Sequence, residues 1–240
     1  MPTRTALPFL RPIDDDRLSV GQCKDLLANY LGTWSGLAIL PSDCGYTWCC
    51  IPNHPTAVKA IDAMADHATV AIPLSLPNTS VAARFVDWTT LHLRLVETLW
   101  PGQLTVVVKV KGGEGRRIAS LLHGRDTLGL RISLSTIEWG LAVAAEYPLT
   151  TAAIRNHDGQ LVRTYDEAVD IVLDKLDRVD IGSTPIVGVR RRRRIEDRDH
   201  STVVEIDHGA LKTLREGAVP VRELRPLINR VARAEFGDST

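Results

Sequence analysis

Gly36-Leu37-Ala38-Ile39-Leu40-Pro41-Ser42-Asp43-Cys44-Gly45-Tyr46 is the stretch that decides the fold class. An unbroken apolar run from Leu37 to Leu40, stopped by a proline, reads as a buried strand. Upstream, Cys23, Leu26, Leu27, Tyr30 and Leu31 form an apolar stripe that predicts a helix from about Ser19 to Leu31, with Gly32 placed to cap it. Downstream, Pro55 sits near the start of a predicted helix reaching Met64, where a proline is tolerated.

The same reading carries on to the C-terminus. Thr69 to Leu74, Leu104 to Val110, Leu128 to Ile132, Pro148 to Ala153 and Thr202 to Ile206 read as strands. Ser80 to Trp100, Glu114 to Leu122, Ile137 to Ala145, Tyr165 to Leu176 and Val221 to Ala234 read as helices. Strands interleaved with helices predict an α/β protein with a twisted mixed sheet. The expected organisation is a lead-in over 1–17, one domain over 18–220, and a C-terminal helix and tail over 221–240.

The chain has 240 residues, with 29 Lys+Arg against 29 Asp+Glu, so its formal charge is zero. That balance excludes a whole-surface polyanion binder and leaves room for a local basic patch. An apolar share of 44% excludes disorder of the whole chain. No apolar run reaches about 18 residues, and the N-terminus lacks a secretory signal, so no membrane association and a cytoplasmic location are expected. The four cysteines match no zinc spacing and read as buried thiols. The seven histidines show no i, i+4 ligand pair, so no metal site is expected. Lys111-Gly112-Gly113-Glu114-Gly115-Arg116 lacks the Gly-Lys-Ser/Thr end of a P-loop, and no Gly-x-Ser-x-Gly elbow is present.

Arg190 to Arg194 are five consecutive arginines, followed by Ile195-Glu196-Asp197-Arg198-Asp199-His200. Two readings are open: a solvated loop balanced by its own acids, or a patch that binds the phosphates of a nucleotide or RNA.

Several segments together resemble the YrdC-type threonylcarbamoyl-adenylate synthases. Leu40-Pro41-Ser42-Asp43-Cys44-Gly45-Tyr46 is similar to the Pro-Thr-Asp/Glu-x-x-Tyr/Phe-Gly opening that follows a strand in that family. Leu99-Trp100-Pro101-Gly102-Gln103-Leu104-Thr105 resembles its Trp-Pro-Gly-Pro-Leu/Val-Thr. Gly129-Leu130-Arg131-Ile132 resembles its Val-Arg strand, and Pro148-Leu149-Thr150-Thr151 the entry to its Ser-Ala-Asn loop. Ser201-Thr202-Val203-Val204-Glu205, then Leu214-Arg215-Glu216-Gly217-Ala218, resemble its Ser-Thr-Val-Val-Asp and Leu/Phe-Arg-x-Gly-Ala. The order holds from about Leu18 to Val219.

The resemblance implies a single YrdC-like α/β domain with a large concave basic cleft. It implies formation of threonylcarbamoyl-AMP from ATP with Mg²⁺, bicarbonate and threonine, releasing pyrophosphate, in support of tRNA adenosine modification. Some relatives bind double-stranded RNA, and others make carbamoyl-adenylate. Ser42, Arg131, Asn156, Ser201 and Arg215 then become the residues expected to contact substrate. Trp100-Pro101-Gly102 reads as a turn with a packed aromatic, shaping the fold.

Two departures fall on charges that the chemistry needs. The family's Lys-x-Arg corresponds to Ala65-Asp66-His67, and its Thr-Ser-Ala-Asn-x-Ser-Gly loop to Ala152-Ala153-Ile154-Arg155-Asn156-His157-Asp158-Gly159. In one reading Arg155 and Arg191, Arg192, Arg193 and Arg194 replace the lost phosphate charges. In the other, adenylation has lapsed and a basic cleft binds a nucleotide or structured RNA. The partners to expect are ATP, bicarbonate, threonine or a related amino acid, and RNA or a tRNA-modifying transferase.

Overall fold

A computed structural model describes residues 12–15, 19–26, 36–65, 72–122, 126–181, 184–207 and 210–236. Within them the α/β class holds, and the strands form two mixed sheets. The first contains β1 (Pro12–Asp15), β2 (Leu37–Pro41), β3 (Tyr46–Cys49), β8 (Ala152–Ala153) and β9 (Ile186–Arg191), in the order β1-β9-β2-β3-β8. The second contains β4 (Leu74–Ser75), β5 (Leu104–Lys109), β6 (Thr127–Arg131), β7 (Leu149–Thr150), β10 (Thr202–Asp207) and β11 (Ala210–Arg215), in the order β11-β10-β5-β6-β4-β7. Every residue of β2 is buried, as its apolar run requires.

Strand direction gathers the functional ends. In the first sheet β2 and β9 run parallel, so the chain leaves Pro41 and Arg191 at one edge. In the second, β10 and β5 run parallel while β6 is antiparallel to β5. The start of β10, the start of β5 and the end of β6 therefore lie together, joined by the end of antiparallel β11. Ser42, Arg131, Ser201 and Arg215 all stand at these strand ends.

The helices are α1 (Val20–Leu26), α2 (Pro55–Met64), α3 (Thr79–Ala82), α4 (Thr90–Leu99), α5 (Glu114–Leu121), α6 (Thr136–Ala145), α7 (Tyr165–Leu176) and α8 (Val221–Phe236). Helix α2 keeps the predicted bounds, with Pro55 in its first turn, and Ala57, Val58, Ala60, Ile61 and Met64 face the core. Helix α7 also keeps its predicted bounds, and its first turn is capped by Glu167 N–H donating to Thr164. Leu224 and Ile228 of α8 are buried with the main core.

Several readings need correction. The helix expected over Ser80 to Trp100 is two helices, because Thr89 starts a new one with a capping box to His92. Between them Val86 bridges Val110, and Asp87 N–H donates to the Lys109 carbonyl, so the backbone there extends β5 and not a helix. The strand expected over Pro148 to Ala153 is two strands in different sheets, with Thr151 as the crossover. Arg190 and Arg191, for which a solvated loop is one of the two readings, close β9. Strands β1, β3, β9 and β11 carried no strand expectation. The rest of the helix expected to reach Leu31, and Thr69 to Ala71 of the strand expected to reach Leu74, lie outside the described residues; of that strand's described part only Leu74 is in β4, and Ile72 and Pro73 precede it. The expected turn at Trp100 holds: its ring packs edge-on to Trp88 at 6.1 Å and its indole N–H donates to the Leu104 carbonyl. The four cysteines are buried and unbonded to one another.

Candidate active site

Two hydrogen-bonded groups meet at the shared strand ends. The first grows from the turn after β2. Ser42, Asp43, Arg131, Ser133 and Glu138 are all buried there. Arg131, at the end of β6, donates to Asp43 and to Ser133 Oγ at 3.1 Å, and lies 4.0 Å from Glu138. Ser42 Oγ is 2.9 Å from Asp43 Oδ1 and 2.5 Å from Glu138 Oε2, and Ser133 Oγ donates to Glu138 at 2.9 Å. Glu138 is held here because Ser135 caps α6 and donates to the Pro41 carbonyl at 2.6 Å. Burial pushes the Asp43 carboxyl up, but the charge and hydrogen bond of Arg131 outweigh it and hold Asp43 below its ordinary value. Burial opposes the Arg131 charge, and Glu138 and Asp43 outweigh that, raising its pKa above the ordinary value. Asp43 Oδ2, Arg131 Nε and Glu138 Oε1 are buried without a hydrogen-bond partner among the described residues.

The second group explains why two motifs fourteen residues apart travel together. Arg215 donates through Nε and Nη2 to the Ser201 carbonyl at 3.2 and 2.9 Å, and through Nη2 to Ser201 Oγ at 3.2 Å. Ser201 Oγ in turn meets Thr105 Oγ1 at 2.9 Å. Thr202 Oγ1 accepts from the N–H groups of Gly217 and Val219 and donates to the Val219 carbonyl at 2.6 Å. Ala218 N–H donates to the His200 carbonyl at 2.9 Å. A Cβ on Gly217 would stand 2.1 Å from that same carbonyl oxygen, so only glycine allows the approach.

Cys44 lies between the groups and feels both. Burial, with the Asp43 charge, pushes its thiol up to about 11, while Arg131 and Arg215 pull the other way. Burial lowers the Arg215 pKa, and Arg155 adds to that shift. His200 is lowered by burial, then by Arg215 and Arg155. Arg155 and Arg215 thus form a positive side of the site, and their charge opposes protonation of the His200 ring. Among the described residues no carboxylate pairs with Arg155 or Arg215.

The remaining expected residues are placed as follows. Arg155 bridges Leu161 and donates to the Gly159 carbonyl at 2.6 Å. Asn156 shapes the next turn: its Oδ1 accepts from the N–H groups of Asp158 at 3.1 Å and Gln160 at 2.9 Å, and Gly159 takes φ +75°. Arg191, Arg192, Arg193 and Arg194 are exposed, with Arg191 N–H donating to Tyr46 Oη at 3.0 Å. Of the acids after the run, Glu196 pairs with Arg198 and Asp197 with Arg163 at 2.8 Å. Of the Lys-x-Arg counterpart, Ala65 ends α2, where Lys175 donates to the Met64 carbonyl at 2.7 Å; Asp66 and His67 lie outside the described residues. Glu138, Ser133, Thr105 and His200 were not singled out by sequence. The readable signal was slight: an acid inside an otherwise apolar helix for Glu138, and adjacency to a motif serine for His200.

A family profile named Sua5/YciO/YrdC, described by the words telomere recombination, matches residues 35–217. The chain belongs to the Sua5/YciO/YrdC family. A Methanocaldococcus jannaschii protein carrying the provisional name threonylcarbamoyl-AMP synthase is 28% identical over 135 residues, 56% of each chain. The chain therefore aligns with a little over half of that relative's length. Among solved structures, P. abyssi Sua5 in complex with L-threonine superposes with TM-score 0.70 at 18% identity, covering 91% of this chain and 60% of that one. E. coli YciO superposes with TM-score 0.71 at 18% identity, covering 89% and 97%. At such identities the superpositions establish the shared Sua5/YciO/YrdC fold.

Proposed function

We propose that this chain forms threonylcarbamoyl-AMP from ATP, bicarbonate and threonine, in support of tRNA adenosine modification. The observation that carries the proposal is the pair Arg155 and Arg215, two guanidiniums without a carboxylate partner among the described residues, each within electrostatic reach of the other. Like charges held together are a standing preference for an anion. The name of the M. jannaschii relative and the L-threonine bound in P. abyssi Sua5 support the choice of substrate.

The chemistry divides into two balanced steps. The threonine amine adds to the carbon of bicarbonate and water leaves, giving a carbamate. A carbamate oxygen then attacks the α-phosphorus of ATP as the bond to the bridging oxygen breaks and pyrophosphate departs. The enzyme's work is positioning and charge neutralisation. Arg155 and Arg215 would face the polyphosphate, and Arg191 to Arg194 would extend that charge along the edge of β9. Ser201 fixes the Arg215 guanidinium by two backbone contacts and one side-chain contact. Mg²⁺ would arrive on the triphosphate as part of the substrate. Among the described residues no three His, Cys, Asp or Glu side chains converge to hold an ion of their own.

No helix among the described residues is long and apolar enough to cross a membrane, and a cytoplasmic location fits the proposed reaction. A second reading has a specific observation behind it: Arg131 is occupied by acids, while the Arg191 to Arg194 run is exposed. That distribution would suit a nucleotide- or double-stranded-RNA-binding module that no longer adenylates.

The deciding assay is pyrophosphate release by purified protein with ATP, Mg²⁺, bicarbonate and threonine, with threonine omitted as control. Threonine-dependent release is expected. Absence of release, alongside measurable ATP or RNA binding, would replace the enzymatic reading with the second one.

A further inference from the structure

Glu138 belongs to no motif, yet it is fully buried at the centre of the first group, on a helix whose other inward residues are apolar or glycine. Burying a carboxylate is costly unless it is paired, so its presence needs a reason. Its Oε2 takes the hydroxyls of Ser42 and Ser133, and it stands 4.0 Å from the Arg131 guanidinium. Asp43 already pairs with that guanidinium. Two acidic side chains thus face one arginine, Asp43 as its direct partner and Glu138 at 4.0 Å. An incoming carboxylate or phosphate directed at Arg131 would meet both acids.

We infer that Glu138, standing behind the Asp43 that directly pairs with Arg131, is an internal anion that bars a substrate anion from Arg131 and so sets which end of the substrate the site can hold. The inference rests on the anion-binding reading of the site given above. It divides the arginines of the site by function. Arg155 and Arg215 receive charge from outside, whereas Arg131 is a positioning residue that orders Asp43, Ser133 and the turn after β2. The anion excluded from Arg131 is either the phosphate chain or the amino-acid carboxylate, and the two are separated by probe.

The test is calorimetric titration of the wild-type protein and of Glu138→Gln with inorganic pyrophosphate and, separately, with L-threonine. Glutamine keeps the shape and an oxygen acceptor for Ser42 and Ser133 while removing one negative charge. One probe should bind Glu138→Gln tighter by about tenfold or more, the scale for removing a like charge a few ångströms away. A gain with pyrophosphate alone identifies the phosphate chain as the excluded anion, and a gain with threonine alone identifies the carboxylate. No gain with either, in a variant that retains cooperative unfolding, overturns the inference.

A second measurement holds even if the variant does not fold. In the wild-type protein, the Arg131 side-chain N–H resonance should stay in place during a pyrophosphate titration that moves those of Arg155 and Arg215. Movement at Arg131 overturns the inference. Stillness at Arg155 and Arg215 overturns the anion-binding reading itself. No binding by any protein with either probe overturns both.

Discussion

Arg131 and Arg193 are the same side chain in opposite settings. Arg131 is buried among Asp43, Ser133 and Glu138, with Asp43 as its direct partner. Arg193 stands in the open at the end of a strand, while the nearby acids Glu196 and Asp197 pair with Arg198 and Arg163. Between these extremes lies Arg215, half-buried and fixed by Ser201, with no acid among the described residues to neutralise it. The number of arginines gathered at these strand ends is therefore a poor measure of their appetite for phosphate. What counts is which guanidiniums remain unbalanced once the fold has formed.

The comparison can be broken at its buried end first. Arg131→Met removes one partner of a buried ion cluster and leaves Asp43 and Glu138 facing each other, so it should cost about 3–5 kcal/mol in urea denaturation. A loss below about 1 kcal/mol would show that the group is solvated in solution. Next in size is Gly217→Ala, whose new Cβ meets the His200 carbonyl at 2.1 Å. It should destabilise by roughly 2–3 kcal/mol through the forced backbone shift, read from the same denaturation curves.

Arg215→Ala tests the intermediate setting. It should reduce pyrophosphate release by about a hundredfold, as loss of one preorganised charge-stabilising group does. An unchanged rate would assign Arg215 a purely structural part in holding Ser201.

The pH response sharpens the contrast further. The folded pKa of His200 lies below its ordinary 6.5, chiefly because the ring is buried and then because Arg215 and Arg155 oppose its charge. The unfolded chain then binds that proton first as pH falls, so stability present above about 6.5 is lost from there toward the lower folded value. Melting temperatures at pH 7.5 and 5.5 should differ less in His200→Asn than in the wild-type protein, and equal differences would discard this linkage. The smallest effect is expected for the double variant Arg191→Ala with Arg193→Ala. Its stability should stay within about 0.5 kcal/mol of wild type, the usual range for exposed sites. Its ATP affinity should fall severalfold, and unchanged affinity would remove the run from the phosphate-binding surface.

Much of this fold was legible because burial leaves a plain pattern. The apolar run Leu37 to Leu40 declared β2, and Pro55 with its apolar spacing declared α2 to the residue. Strand β11 was opaque for the opposite reason: it lies at a sheet edge with most of its residues exposed or half-buried, so no alternation marks it. The split of Pro148 to Ala153 depends on partners distant in sequence, which local propensity does not carry. In the site, Ser201 and Arg215 were found through their motifs, but their bond to each other was not. Glu138 escaped because its role is set by where α6 docks on Pro41, a tertiary fact.

The crossover at Thr151 has a mechanical consequence. Leu149–Thr150 is hydrogen-bonded into one sheet and Ala152–Ala153 into the other, with Thr151 N–H tied to Pro73 and Ile154 N–H to Tyr46. Five residues act as a rivet through both layers, so neither sheet can open without pulling on the other. The loop bearing Arg155 and Asn156 hangs from the head of that rivet. Its anchor is fixed by both sheets, so Arg155, two residues past the end of β8, is carried on a loop whose root cannot shift with either layer alone.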